Sequence, residues 1–236
     1  MNILAIDASG LAASAAVLSE GVIKAEFFVC NKLTHSETLM PMVEQVIKAS
    51  GLLLSDMDAI AVTGGPGSFT GLRIGSATAK GLAEAAGKQL VGIPTVDALA
   101  RNLTGFKGNI VPLMDARRNE TYTGIYTLDE NDRLVVLREQ CAVPLSDILR
   151  DVNERGRRTV FLGDGIKVFE EQIGRDCKVP FLFSGANNRL QRASGVALLA
   201  EQYIMEGKGG GDASEHVPVY LRVSQAERER ALKGNK

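Results

Sequence analysis

A glycine-rich bend is the stretch whose residue types and spacing come closest to a ligand site. Residues 63–75 follow an apolar run and open a helical pattern. The first glycines of the bend are Gly64, Gly65 and Gly67. Free N–H groups at a helix start favour an anion, but the spacing matches neither a P-loop nor a dinucleotide-binding motif. Ser68 is suited to cap the following helix. The bend therefore predicts a structural turn, with a phosphate cradle as the alternative.

Two carboxylates lie at positions typical of a nucleotide-facing site. Asp7 closes the first apolar run and precedes Ser9, which is where actin-like ATPases place a carboxylate that faces metal and phosphate. Asp164, between two glycines, is a candidate for the matching loop later in the chain. A capping turn explains either carboxylate as well. The candidate nucleotide-facing residues, vestigial in this interpretation, are Asp7, Ser9, Gly65, Gly67 and Ser68.

The remaining candidates do not favour metal or nucleophile chemistry. His35 and His216, the two histidines, are far apart in sequence and form no H-x-x-x-H pair. Ser68 is not in a G-x-S-x-G motif, and Cys30 falls in a strand pattern that predicts burial. We therefore predict no catalytic residue and no metal site. The polar cluster 115–120 is a candidate loop for a ligand or a partner, with a solvated loop as the alternative.

The composition is that of an ordinary soluble protein of one or two domains. The 236 residues are 45% hydrophobic and 23% charged, with a formal net charge of −1. Such a balance does not favour a nucleic-acid surface, so contacts to any tRNA would come mostly from a partner. The three cysteines form no C-x-x-C pair. Because no apolar run reaches the ~18 residues of a membrane span, we expect a cytoplasmic protein without a membrane partner.

The chain repeats one order of predicted elements in two halves: three strands, a helix, a strand, a helix, a strand and a helix. A glycine-containing stretch at 104–108 separates the halves. We predict an N-terminal subdomain over 1–104, a C-terminal subdomain over 105–216, and a C-terminal segment, 217–236, that packs back on the body through a short helix at 225–233. This order is the outline of two ribonuclease-H-like subdomains, the α/β architecture of actin, sugar kinases and Hsp70.

Two N-terminal helices carry patterns that indicate helix packing. The first follows the cap candidate Thr34. Its helical face carries the apolar residues Leu39, Met42, Val43 and Val46. The second, 71–86, is rich in glycine and alanine. Glycine inside a helix costs about 0.5–1 kcal/mol relative to alanine, so we expect close approach of another helix to offset that cost.

Five motifs together resemble those of the TsaB (YeaZ) family, which takes part in tRNA threonylcarbamoyladenosine modification in bacteria. The motifs lie at 2–9, 35–41, 65–75, 115–122 and 218–222. They span most of the chain in the order of the family, and the run from 65 to 75 is highly specific. Ala8 departs from the family pattern, in which threonine is more usual, and this departure weakens a nucleotide-binding role beside Asp7.

The resemblance implies a degenerate actin-like (ASKHA) fold and a non-catalytic subunit. The subunit would pair with and activate the catalytic paralogue TsaD, which carries the metal-binding histidine pair, and the ATPase subunit TsaE would join them. ATP or ADP and metal are then expected on the partner subunits, and a nucleotide at a shared interface is a further expectation. The complex, and not this chain directly, would bind tRNA. Without its partner, the chain is expected to form a homodimer.

The resemblance also implies that two N-terminal helices form a four-helix bundle with those of the partner. Together with the helical patterns above, it predicts the interface residues Leu39, Met42, Val43, Val46, Gly71, Ile74, Gly75, Thr78, Ala79 and Leu82.

Three other functions stay open on the sequence alone. An independent actin-like ATPase or sugar kinase would use Asp7 and the glycine bend. A glycoprotease-like peptidase is suggested by relatives of the fold, although the histidine spacing argues against it. A self-contained homodimer with a signalling role would use the same two helices.

Overall fold

The computed structural model describes residues 1–31 and 33–222, which form two five-stranded sheets and the helices that cover them. The strands of the first sheet are β1 (Asn2–Asp7), β2 (Ala13–Ser19), β3 (Val22–Val29), β4 (Ala59–Gly65) and β5 (Gln89–Pro94). Those of the second are β6 (Asn109–Asp115), β7 (Glu120–Leu128), β8 (Leu134–Pro144), β9 (Thr159–Leu162) and β10 (Phe181–Phe183). The helix predicted at 225–233 lies outside the described residues.

Both sheets have the same strand order. The first runs β3-β2-β1-β4-β5 and the second β8-β7-β6-β9-β10. In each sheet three antiparallel strands are extended by two parallel ones. The repeated order of elements predicted from the sequence is therefore present, and the fold class is α/β.

The helices are α1 (His35–Ser50), α2 (Phe69–Ala86), α3 (Thr95–Ala100), α4 (Leu145–Arg155), α5 (Ile166–Asp176) and α6 (Ala193–Met205), with short 3₁₀ turns at Leu54–Asp56 and Ala213–Glu215. Local sequence fixes the ends of α1. The N–H and the hydroxyl of Thr34 both donate to the Glu37 carboxylate, at 3.1 and 2.6 Å, and the helix closes at Gly51 with φ 74°. Within the described residues, no helix is both long and apolar enough to cross a membrane.

The helices and sheets stack in five layers. α1 and α2 cover the outer face of the first sheet, and α4 and α5 cover the outer face of the second. Between the sheets, α3 and α6 form a common core with residues of both halves. α6 belongs to the second half by sequence but also packs on the first sheet, where the Ala193 N–H donates to Ser14 Oγ at 2.8 Å. The boundary predicted between residues 104 and 105 stays a prediction.

The differences from the sequence predictions include two element ends and the burial of one cysteine. α2 begins at Phe69, before the predicted start at 71, because the Ser68 hydroxyl caps it by accepting the Gly71 N–H at 3.3 Å. β8 extends to Pro144 because it stays paired with β7 beyond two register shifts. Cys30 was expected to be buried, but β3 ends at Val29 and the cysteine is exposed.

Candidate functional site

A cleft of about 440 Å³ lies between the two halves of the chain. It opens where the turns after β1, β4, β6 and β9 meet, which is the edge at which α/β sheets commonly bind ligands. Its lining comes from both halves and from the C-terminal segment, and it includes Ser9, Gly10, Leu11, Gly67, Ser68, Phe69, Asp115, Arg117, Arg118, Tyr122, Asp164 and Arg222. The predicted polar cluster 115–120 therefore contributes to this cleft.

The glycine bend packs directly on the turn after β1. A Cβ on Gly71 would lie 2.0 Å from the Ala8 carbonyl oxygen, and one on Gly67 would lie 2.4 Å from the Ser9 carbonyl oxygen. The Ser68 N–H donates to the same Ser9 oxygen at 2.8 Å. The chain's own carbonyl oxygens thus occupy the space beside these glycines, and oxygens with partial negative charge repel an anion. These contacts support the structural turn, and the phosphate cradle stays an untested alternative.

Asp7 lies beneath the cleft and does not line it. It is buried and accepts hydrogen bonds from the Ser9 N–H at 2.8 Å, the Ser9 hydroxyl at 2.6 Å and the Thr63 hydroxyl at 3.3 Å. Burial raises its pKa above the ordinary aspartate value, against the opposing effect of these hydrogen bonds. Its Oδ2 atom has no hydrogen-bond partner among the described residues. The hydrogen bonds of Asp7 therefore brace the turn after β1, and its role toward a nucleotide stays a prediction.

The other candidate nucleotide-facing residues are divided between the cleft and the core. Ser9, Gly67 and Ser68 line the cleft. Gly65 is buried, with φ 111°, and the Val219 carbonyl oxygen occupies the space that a Cβ on it would need. Their role toward a nucleotide stays a prediction.

The wall of the cleft contributed by the second half carries two carboxylates. Asp164 lies in the turn after β9, and its Oδ1 atom is buried without a hydrogen-bond partner in the described chain. Burial raises the pKa of Asp164, and the nearby negative charge of Asp115 raises it further. Asp115 in turn forms an ion pair of 3.4 Å with Arg117. This wall therefore contains one carboxylate, that of Asp164, whose charged form is disfavoured by burial.

Both histidines make structural contacts. His35 Nε2 lies 3.0 Å from the Gly10 carbonyl oxygen, which ties the start of α1 to the rim of the cleft. His216 fits against the backbone at Gly92, where a Cβ would lie 2.9 Å from its Nδ1, and its Nε2 is 3.2 Å from Ser76 Oγ. Across residues 1–31 and 33–222, no group of three or more His, Cys, Asp or Glu is arranged to hold a metal ion.

The burial of the predicted interface residues requires a correction. Seven of them already lie in the interior of the single chain: Leu39, Met42, Val43, Val46, Gly71, Gly75 and Ala79. Their helix faces cover the first sheet, so these side chains cannot also contact a partner at the surface. Ile74, Thr78 and Leu82 are half-buried and keep some accessible surface. That α1 and α2 bind a partner stays a prediction, and of the predicted residues only Ile74, Thr78 and Leu82 keep surface for it.

The sequence analysis missed the outward face of these helices. On α1, Met40 is 49% exposed. On α2, Ala77, Gly81 and Ala85 are exposed and recur every fourth residue, which places them on one side of the helix. A Cβ on Gly81 would meet no atom within 4 Å. The spacing of these small residues was a signal that could have identified the face.

The C-terminal segment crosses the first half before it reaches the cleft. Gly211 forms a bridge with Leu90 on the edge strand β5, and the Val219 N–H donates to the Gly64 carbonyl at 2.6 Å. We call residues 211–222 the C-terminal strap. Its end lines the cleft, and the sequence offered no local signal for that position.

Comparison with known proteins identifies the family. The TsaD family profile, described as tRNA N6-adenosine threonylcarbamoyltransferase, matches residues 31–206. A relative from Bacillus subtilis, the tRNA threonylcarbamoyladenosine biosynthesis protein TsaB, is 33% identical over 227 residues, which are 96% of each chain. The chain belongs to the TsaB (YeaZ) family. The resemblance stated from the sequence motifs is thereby confirmed.

Solved structures agree with the family and with the fold. YeaZ from Pseudomonas aeruginosa is similar with a TM-score of 0.79 and 27% identity, over 93% of this chain and 99% of that one. A ROK hexokinase from Thermus thermophilus is similar with a TM-score of 0.50 and 15% identity, over 86% of this chain and 100% of that one. At that identity the hexokinase indicates fold alone, and it supports the prediction of two actin-like (ASKHA) subdomains in this TsaB-family chain.

Proposed function

We propose that this chain is a non-catalytic subunit required for tRNA N6-threonylcarbamoyladenosine modification. It pairs with the catalytic subunit TsaD, the ATPase subunit TsaE joins the pair, and tRNA is bound by the complex. ATP or ADP and metal belong to the partner subunits, and the assembly works in the cytoplasm. Similarity to the protein named TsaB over 96% of the chain is the observation that carries this proposal.

The geometry of the cleft supports a non-catalytic role. Phosphoryl-transfer enzymes need N–H groups or cations aimed at the phosphate oxygens. At the glycine bend, the Ser68 N–H instead donates to the Ser9 carbonyl oxygen, and the carbonyl oxygens of Ala8 and Ser9 pack against Gly71 and Gly67. The first half thus uses its glycines for close packing of its own backbone.

The outward face of α1 and α2 supports pairing through these helices. Ala77, Gly81 and Ala85 leave a shallow surface on α2, and Met40 provides an exposed apolar side chain on α1. Small residues let a second helix approach closely, while Met fills irregular gaps. A partner helix at this face would offset the cost of a glycine inside α2, because a Cβ on Gly81 would meet no atom within 4 Å and the space is open. The same face would pair two copies in the absence of TsaD.

The test is reconstitution of threonylcarbamoyl transfer to unmodified tRNA. The mixture contains TsaD, TsaE, ATP, metal and threonylcarbamoyl-adenylate, and modified adenosine is measured by mass spectrometry with and without this chain. We expect transfer to depend on adding the chain, while the chain alone transfers nothing. Equal transfer with and without the chain would contradict the proposal.

A matched pair of variants tests the surface. Gly81→Leu adds a bulky side chain to the proposed face of α2, and Gly174→Leu adds the same side chain to α5. Both glycines are exposed, and a Cβ added to either would have no atom within 4 Å. We expect Gly81→Leu to reduce TsaD binding and transfer at least tenfold, with Gly174→Leu unchanged. Equal behaviour of the two variants would exclude this face of α2.

One observation favours a second function, that of an independent actin-like ATPase. The cleft between the halves carries Ser9, Asp115 and Asp164, the residue types expected around a nucleotide and its metal. Turnover of ATP by the purified chain, abolished by Asp164→Asn, would establish that function. Asp164 is the better position for this test than Asp7, because replacement of the buried Asp7 would disturb the turn after β1.

A further inference from the structure

The end of the C-terminal strap joins the two halves across the mouth of the cleft. The strap is fixed to the first half by the hydrogen bond from Val219 to Gly64 and by Tyr220, whose ring stacks on Phe69 with centroids 4.4 Å apart and planes 8° from parallel. Two residues further on, Arg222 reaches the turn between β6 and β7 in the second half. One short segment therefore contacts both walls.

Arg222 binds that turn through three groups at once. Its Nη1 atom donates to the carbonyl oxygens of Ala116 and Arg117, the second at 3.2 Å, and lies 3.1 Å from the Glu120 carboxylate. The Arg222 side chain is only 15% exposed. Hydrogen bonds from a charged donor in a partly buried position are stronger than ordinary surface ion pairs.

The turn that Arg222 binds has an unfavourable backbone. Arg117, Arg118 and Asn119 have φ values of 64°, 57° and 61°, which is the left-handed region. Residues with a Cβ rarely adopt this conformation, and three in succession require restraint from the surroundings. Bonds within the turn, from Ala116 N–H to the Glu120 carbonyl and from Glu120 N–H to the Arg117 carbonyl, supply part of it. The remaining restraint described for this turn includes Arg222 and Asp115.

We propose that the C-terminal strap is a clasp, in which Arg222 locks the turn at residues 116–120 in its left-handed conformation and holds the cleft at a fixed width. Arg222 is thus a positioning residue for the part of the cleft wall that carries Arg117 and Arg118. The clasp is independent of the proposed function, because every contact in it lies within this chain. Loss of the Arg222 contacts frees the turn without unfolding either sheet.

Trypsin provides a direct probe of the clasp. It cleaves after arginine, and the Arg117 side chain is 85% exposed, so recognition of the side chain is not limiting. A protease requires an extended, locally mobile backbone, which the locked turn does not offer. We expect Arg222→Ala in the full-length chain to accelerate cleavage after Arg117 and Arg118 at least tenfold, measured by mass spectrometry of timed digests.

Two further variants grade the effect. Glu120→Gln removes the ion pair but keeps both carbonyl acceptors of Arg222, so we expect a smaller acceleration than for Arg222→Ala. Arg175→Ala is the control, because Arg175 forms an exposed ion pair with Asp176 on α5. We expect Arg175→Ala to leave cleavage after Arg117 and Arg118 unchanged.

Amide hydrogen exchange separates a local clasp from a general loss of stability. We expect Arg222→Ala to lose protection at 116–121 while amides of β4 and β9 exchange as in the unmodified chain. Unchanged cleavage in Arg222→Ala would overturn the proposal. Uniformly faster exchange in both sheets would overturn it as well, since Arg222 would then contribute only to overall stability.

Discussion

The two halves of the molecule share one strand order but differ in what their outer helices expose. On the first half, α2 presents the small residues Ala77, Gly81 and Ala85. On the second half, α4 has an amphipathic pattern, and its exposed positions include the ion pair between Arg150 and Asp147. A charged outer face is typical of a helix whose outer side is exposed to solvent, while a face of small residues permits a second helix to pack closely. The difference teaches that the two halves share one fold, while the small residues on α2 of the first half favour the close helix packing that we propose there.

The turns next to the cleft are, by contrast, alike in both halves. A Cβ on Gly71 would lie 2.0 Å from the Ala8 carbonyl oxygen after β1. A Cβ on Gly163 would likewise lie 2.0 Å from the Leu113 carbonyl oxygen in β6. Both glycines follow the fourth strand of their half, Gly71 in the first turn of α2 and Gly163 in the turn that leads into α5. This close approach of backbone to backbone is therefore a property of the shared fold.

The largest effects should come from breaking that shared packing. Gly71→Ala and Gly163→Ala each place a methyl group against a backbone oxygen, and Gly163 also has φ 109°. We expect each to lower the free energy of unfolding by about 3 kcal/mol or more in urea titrations. Gly81→Ala is the control on α2, and we expect it to raise stability by about 0.5–1 kcal/mol. A much smaller loss in Gly163→Ala than in Gly71→Ala would show that the two turns are not equivalent.

Asp97 tests the contact between the halves. It lies on α3 and accepts hydrogen bonds from Tyr126 on β7 at 2.7 Å and from Tyr203 on α6 at 3.3 Å. Burial, opposed by these bonds, raises its pKa to about 6. Because the folded-state pKa exceeds the unfolded value, the charged form is disfavoured in the fold. Its contribution to stability is complete below about pH 4 and is lost as the pH rises through about 6.

The corresponding variant is Asp97→Asn, which removes the buried charge, keeps an acceptor oxygen for the Tyr126 hydroxyl and presents an N–H₂ that can donate to the Tyr203 hydroxyl. We expect the variant to be more stable than the unmodified chain by about 2 kcal/mol at pH 7.5, with the difference vanishing near pH 4. Thermal or urea unfolding across this pH range provides the measurement. A difference that does not vary with pH would contradict the raised pKa of Asp97.

A third pair of variants compares the outer helices directly. Met40 on α1 is 49% exposed and Val168 on α5 is 55% exposed, so glutamate at either position should leave the fold intact. We expect Met40→Glu to weaken TsaD binding at least tenfold, which is about 1.4 kcal/mol, and Val168→Glu to leave it unchanged. Titration calorimetry gives both values. If the two substitutions weakened binding alike, the proposed functional difference between the outer layers would be lost.

The smallest expected effect concerns the C-terminal strap, which packs on the start of α2 through Tyr220. Tyr220→Ala removes the ring that stacks on Phe69, and we expect a loss of about 1 kcal/mol in the free energy of unfolding. Tyr220→Phe keeps the stack and should match the unmodified chain. Equal losses in the two variants would assign the effect to the tyrosine hydroxyl instead of the stacked ring.

The sequence by itself determined the elements, their duplicated order and the family. Apolar periodicity, the Thr34 cap and glycine stops act within a few residues, so they can be recognised without knowledge of the fold. The specific run at 65–75 likewise identified the family. The ends of elements were predicted less accurately. At Phe69, for example, the helix starts earlier than predicted because Ser68 caps it.

Only the tertiary structure decided which side of each element is covered. Leu39 and Val43 form an apolar stripe that the sequence assigns equally well to a sheet or to a partner, and the structure places it on the first sheet. Glycine is required at position 71 because the Ala8 carbonyl oxygen packs against it, and Arg222 is held in place by the Ala116 carbonyl oxygen. Such contacts join residues far apart in the chain. A local sequence pattern can indicate that a residue is packed, but it does not indicate which residue packs against it.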